Sequence, residues 1–97
     1  MTTKQRAYLR SMGTTLDPVL HIGKDGINEN LVKQAYDVLE ARELIKVTVQ
    51  KNAPYTAREA CDELCEKVFA EPVQVIGNRF VIYRKARENS KIDISNI

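Results

Sequence analysis

Ile45, Val47 and Val49 alternate with Lys46, Thr48 and Gln50, and this period of two follows almost directly on a segment of helical periodicity. In that segment Leu31, Val32, Ala35, Val38, Leu39 and Arg42 fall at helical intervals, with Glu29, Lys33, Asp37 and Glu40 interspersed. The pattern predicts an amphipathic helix of about four turns with Asn28 as its N-cap. A helix joined this tightly to a strand that buries one face restricts the chain to helices layered on a sheet. Lys46 then points away from the core.

The same reading extends in both directions. Thr3 and Gly13 bracket a first helix as N-cap and C′ glycine, with Ala7, Tyr8 and Met12 able to share its inward side and Lys4, Arg6 and Arg10 left largely outward. Pro18 opens a short apolar run, Val19-Leu20-His21-Ile22, too short for anything but a strand. Thr56 and Glu59 form a capping box for a third helix that runs to about Ala70 and is stopped by Pro72. Val73 to Ile76 and Phe80 to Tyr83 then flank Gly77-Asn78, a pair suited to a tight hairpin turn with Arg79 at its tip. The order helix, strand, helix, strand, helix, strand, strand predicts an α/β sandwich with a four-stranded mixed sheet and right-handed parallel crossovers.

A chain of 97 residues with 43% hydrophobic and 29% charged side chains has the composition of an ordinary folded domain. One domain over residues 1 to 85 is expected, followed by a tail, 86 to 97, that lacks sustained periodicity and reads as mobile or loosely docked. No apolar run is long enough to span a bilayer and the first residues lack the apolar stretch of a secretory signal, so a cytoplasmic location without membrane association is expected. Cys61 and Cys65 sit four apart on a helix beside Leu64 and Val68, as reduced core thiols would. With one His and two Cys the chain falls short of the roughly four ligands of a structural zinc, and neither metal nor cofactor is expected.

The net charge of +2 names no partner, but its distribution is uneven. Lys4, Arg6 and Arg10 face no acid within the first 16 residues, and Arg79, Arg84, Lys85, Arg87 and Lys91 stand against Glu88 alone. Arg58 to Glu71 offsets them with Glu59, Asp62, Glu63, Glu66 and Glu71. One basic and one acidic face are expected.

Gly23-Lys24-Asp25-Gly26 lies between a strand and a helix start. Two residues without side chains there let a phosphate approach, while the first helical amides point outward and Lys24 adds a mobile charge. Asp25 partly opposes it. The arrangement resembles the GXXG loop with which KH domains clamp nucleotide backbones.

Lys4-Gln5-Arg6, Leu9-Arg10, Leu16-x-Pro18 and His21 to Gly26 occur in the order typical of YhbY-type proteins, as do Glu43-Leu44-Ile45-Lys46-Val47 and Val75 to Arg84. Over roughly residues 3 to 85 the chain thus resembles the bacterial single-domain members of the CRM (chloroplast RNA splicing and ribosome maturation) family. The resemblance implies a fold similar to the C-terminal domain of translation initiation factor 3. It also implies RNA binding through the GXXG loop and adjoining basic surface, and association with precursors of the large ribosomal subunit. The family often has asparagine where Asp25 stands and threonine at Asn28, which leaves this loop less positive.

Gly23, Lys24, Asp25, Gly26, Lys4, Arg6, Arg10, Arg79 and Arg84 are therefore the candidate RNA contacts. The last two lie at opposite ends of one strand, where they could bracket RNA but not share a phosphate. His21 has no serine, cysteine or aspartate placed beside it by sequence, and a structural role is expected rather than catalysis. The aromatic residues are too scattered to form a stacking platform. The expected molecule is a monomeric RNA-binding protein, not an enzyme; the alternative is an interaction module whose acidic third helix docks a basic ribosomal protein.

Overall fold

The computed structural model describes residues Met1 to Ile97. It contains α1 (Thr3–Gly13), β1 (Pro18–Ile22), α2 (Glu29–Arg42), β2 (Leu44–Val49), α3 (Ala57–Val68), β3 (Glu71–Ile76) and β4 (Arg79–Tyr83), in the expected order. The strands form one sheet in the spatial order β1-β2-β4-β3. β1 is parallel to β2, and β4 is antiparallel to both β2 and β3. β3 consequently runs in the same direction as β1 and β2, so all three end at the same edge of the molecule.

Alternation along β2 and β4 separates two cores. Ile45, Val47, Phe80 and Ile82 face α2 and α3, where they meet Ala35, Leu39, Leu64 and Val68. Leu44, Val81 and Tyr83 face the other way, against Leu9 of α1. α1 therefore covers one face of the sheet and α2 with α3 the other.

The helix ends show where local chemistry decided. α1 is capped by Thr2 and not Thr3: Thr2 Oγ1 accepts from the Gln5 amide while Gln5 Oε1 accepts from the Thr2 amide. Only a start at Thr2 puts a side-chain acceptor three residues on, because Arg6 in that place could not accept. Gly13 is not a left-handed cap but part of the helix, and a Cβ there would lie 3.1 and 3.2 Å from the Val81 methyls. Its glycine lets α1 lie close on β4. Asn28 caps α2 as expected, its Oδ1 accepting from the Leu31 amide at 2.9 Å. α3 has its Thr56–Glu59 box but ends at Phe69, which takes a left-handed conformation (φ 61°), and Pro72 belongs to β3.

Both edge strands start irregularly, with a register shift between Pro18 and Leu20 in β1 and another between Pro72 and Gln74 in β3. The second shift puts Val73 against the α1 cluster while Val75 packs against the other core. In the hairpin only Gly77 takes positive φ (58°), the glycine-first form of a two-residue turn.

The tail makes specific contacts with the domain. Ala86 is buried, and Ile92 and Ile94 pack against the α1-side core. Glu43, 1% exposed, accepts hydrogen bonds from the Ala86, Lys91 and Ile92 amides and from the Ser90 hydroxyl. Gln5 Nε2 donates to the Ile94 carbonyl, tying tail to α1. Periodicity could not reveal this segment, because its contacts go to distant groups, the Glu43 and Glu40 carboxylates among them, and not to a repeating face.

Candidate nucleic-acid interface

The loop at Gly23 is a closed turn, with the Gly26 amide donating to the Gly23 carbonyl at 3.0 Å. It packs beside the β2–α3 connection, which the Gln50 amide holds by donating to the Ile22 carbonyl at 2.8 Å. Gly26 is required by this packing, while at Gly23 the close neighbour is the tip of the exposed, flexible Gln50 side chain. A Cβ at Gly23 would come within 2.9 Å of Gln50 Oε1, and Gly26 takes φ 67° with Tyr55 and Pro54 at 3.0 and 3.4 Å from the place of its Cβ. At Gly26 the missing side chain is thus used inside the protein, whereas the sequence suggested space for a ligand.

Lys24 and Asp25 stand exposed at the turn's tip. Behind them lies a polar cleft of roughly 410 Å³ walled by His21, Asn30, Gln34, Gln50 and Asn52. At the start of α2 the Leu31 amide is taken by Asn28, while the Glu29 and Asn30 amides have no partner in the protein. Two free donors at a helix start beside a lysine suit an anion.

Because β1, β2 and β3 end together, three turns share this end of the molecule. The Asn78 carbonyl accepts from the Val49 amide at 2.7 Å, linking hairpin to β2. Lys24, Lys51 and Arg79 are exposed there, and Asp25 is the one acid in the three turns. Ligand sites of α/β sheets commonly gather at the carboxyl ends of parallel strands. Lys51 was not singled out from sequence, since nothing local ties its loop to the glycine turn.

The first-helix cations lie elsewhere. Arg6 Nε donates to the Pro72 carbonyl at 3.4 Å, at the beginning of β3, with Lys4 and Arg10 exposed on the same helix. Pro72 is on the opposite edge strand from Gly23 and at the opposite end, so α1 and the loop do not form one compact cluster. Between them the face of the sheet carries Lys46 and Arg79.

Arg84 does not belong to an outer surface. Its side chain is 11% exposed; Nη2 is 3.1 Å from Glu40 Oε1, Nη1 donates to the Val68 carbonyl, and the guanidinium lies 4.1 Å above the Tyr36 ring. Those partners occupy the group, and it is withdrawn as a contact. The acids of α3 are partly paired along the helix surface: Asp62 with Arg58 at 3.5 Å and Glu63 with Lys67 at 3.7 Å, while Glu59 closes the cap of α3. His21 is exposed and makes no hydrogen bond to a carboxylate, hydroxyl or thiol.

Comparison with known proteins fits this arrangement. The CRS1/YhbY (CRM) domain matches residues 1–84. The Bacillus subtilis protein named probable RNA-binding protein YqeI is 39% identical over 94 residues, covering 97% of this chain and 98% of its own. Pseudomonas aeruginosa PA4753, also named a probable RNA-binding protein, is 33% identical over 97 residues and 92% of its length. The solution structure of Staphylococcus aureus SAV1595, described as a candidate RNA-binding protein, superposes with a TM-score of 0.80 at 49% identity, covering 96% of this chain and 97% of that one. With its three helices, mixed four-stranded sheet and glycine turn, the chain belongs to the CRS1/YhbY (CRM) domain family.

Proposed function

We propose that this protein binds RNA, taking phosphates at Gly23-Lys24-Asp25-Gly26 and along the basic side of α1, and that its target is ribosomal RNA in precursors of the large subunit. The observation that carries this reading is that Lys24, Lys51 and Arg79 are exposed at the same end of the sheet as the unpaired Glu29 and Asn30 amides, in a chain whose relatives are named for RNA binding. The separation of α1 from the loop favours a long, structured RNA that contacts both, since the sheet between them is three strand spacings, about 14 Å, wide. Phosphate contacts fix position and need no cofactor.

Replacing Lys24 and Arg10 by glutamate tests the reading. Binding to a structured ribosomal RNA fragment should weaken, and the dependence of affinity on salt should flatten by about one unit per lost phosphate contact. Unchanged affinity and slope would remove the assignment. Crosslinking in cell extract, followed by sequencing of attached fragments, identifies the RNA and tests the ribosomal target directly.

A further inference from the structure

The face of the sheet beneath α1 is only half roofed. Residues paired on neighbouring strands share a face, and the pairs His21–Thr48, Thr48–Arg79 and Arg79–Ile76 line up as one row across all four strands. α1 stops short of it: Gly13, its last residue, lies over Val81, one row inward. His21, Arg79 and Ile76 are exposed, Ile76 to 62%, in a fold whose sheet faces are otherwise covered. Thr48 is half-buried, and its Oγ1, itself shut off from solvent, has no hydrogen-bond partner. Behind the row, Lys46, Gln74 and Thr14 wall a hollow of roughly 190 Å³ into which no carboxylate projects.

Each exposed group in the row has something to offer a nucleotide. Arg79 and Lys46 are cations for phosphate, and the His21 imidazole can donate or accept. Ile76, the Arg79 guanidinium plane and the His21 ring offer flat or apolar contact to the face of a base. Base faces are accessible only in unpaired strands, whereas an A-form duplex presents phosphates, 2′-hydroxyls and shape. A protein partner is disfavoured because Ile76 is the row's sole apolar member and cations surround it.

Resting on the RNA-binding reading above, we infer that the row His21–Thr48–Arg79–Ile76, with Lys46 behind it, seats a short run of single-stranded RNA between the glycine turn and α1. It assigns His21 and Ile76, which none of the charge patterns singled out, to ligand contact. It also makes the sheet face, not the loop, the place where unpaired bases lie.

The test compares the full chain bound to an unstructured RNA of about twelve nucleotides and to a blunt RNA duplex. Lys46→Ala combined with Arg79→Ala should weaken single-strand binding about tenfold, and His21→Ala with Ile76→Ala should do so comparably, with duplex binding held within about twofold. Lys24→Glu should weaken both. Circular dichroism melting of each variant excludes unfolding, and the second pair consists of exposed residues whose loss leaves the core intact. Row variants that weaken neither ligand, or both equally, overturn the inference, while a Lys24→Glu effect in the same series leaves the wider reading standing. A row that instead captures a protein at wild-type RNA affinity also overturns it. If the wild-type chain binds neither RNA, the wider reading fails first.

Discussion

The Glu43 carboxylate accepts the Ala86 amide at 2.8 Å although 43 positions separate them in the chain. Glu43 ends α2 with φ 67°, and that turn aims its side chain into the tail instead of along the helix. Glu43→Gln keeps the shape but sets an NH2 group against backbone donors. The loss should be about 2 kcal/mol, as for charged hydrogen bonds removed from a buried site. Urea unfolding measures it, and removing residues 86 to 97 should cost a similar amount.

The same carboxyl sets an acid limb. Burial pushes its pKa up, but the donors from Ala86, Lys91, Ser90 and Ile92 outweigh that and hold it below the ordinary carboxylate value. A carboxyl that binds its proton less readily when folded adds stability that is complete above its unfolded pKa, near about 4.3, and lost as pH falls through the lower folded value. Thermal melting from pH 6 downward, to roughly pH 3, should show a decline that is shallower in Glu43→Gln.

Gly26 and Gly77 share positive φ but not surroundings. Alanine at Gly77 meets nothing within 4 Å and should cost only the conformational penalty, about 1 kcal/mol. At Gly26 it also drives into Tyr55 and Pro54, and the cost should be larger by about 1 kcal/mol or more. Equal destabilisation in paired urea titrations would contradict the packing described for the glycine turn.

Arg84 and Arg79 should behave oppositely. Arg84→Ala removes the ion-pair partner of Glu40 and the nearer of two cations above Tyr36, and should destabilise by about 1 to 3 kcal/mol. Arg79→Ala, at an exposed position, should change stability by less than about 0.5 kcal/mol. Melting curves for the two variants decide the point.

Thr48→Val should leave stability unchanged or raise it by up to about 1 kcal/mol, because the hydroxyl it removes has no partner. A clear loss would mean that the hydroxyl is engaged in the free protein.

These contrasts mark what could be read in the sequence. The element order was legible because Ile45, Val47 and Val49, and Leu31 through Leu39, carry opposite periods unambiguously. Parity along β4 also held more than charge did: Arg84 follows Phe80 and Ile82 at steps of two and so belongs to the face under α2 and α3, whereas Arg79 shares parity with Val81. The position of α1 relative to the glycine turn was hidden, since it depends on the strand order β1-β2-β4-β3, which no local pattern encodes. The row from His21 to Ile76 was hidden for the same reason, its members coming from four strands. The clasp on Glu43 required a contact between distant segments without periodicity.

The two irregular edges have a bearing on how the chain avoids itself. β1 carries a proline at its first residue, Pro18, and β3 one at its second, Pro72, each immediately followed by a break in register. A proline offers no amide to a newcomer and a bulge turns the neighbouring groups aside, so neither border presents an unbroken ladder that another copy could extend. An open half-sheet bearing an exposed isoleucine would otherwise invite edge-to-edge aggregation during synthesis. Here the borders that would template it are interrupted at both sides.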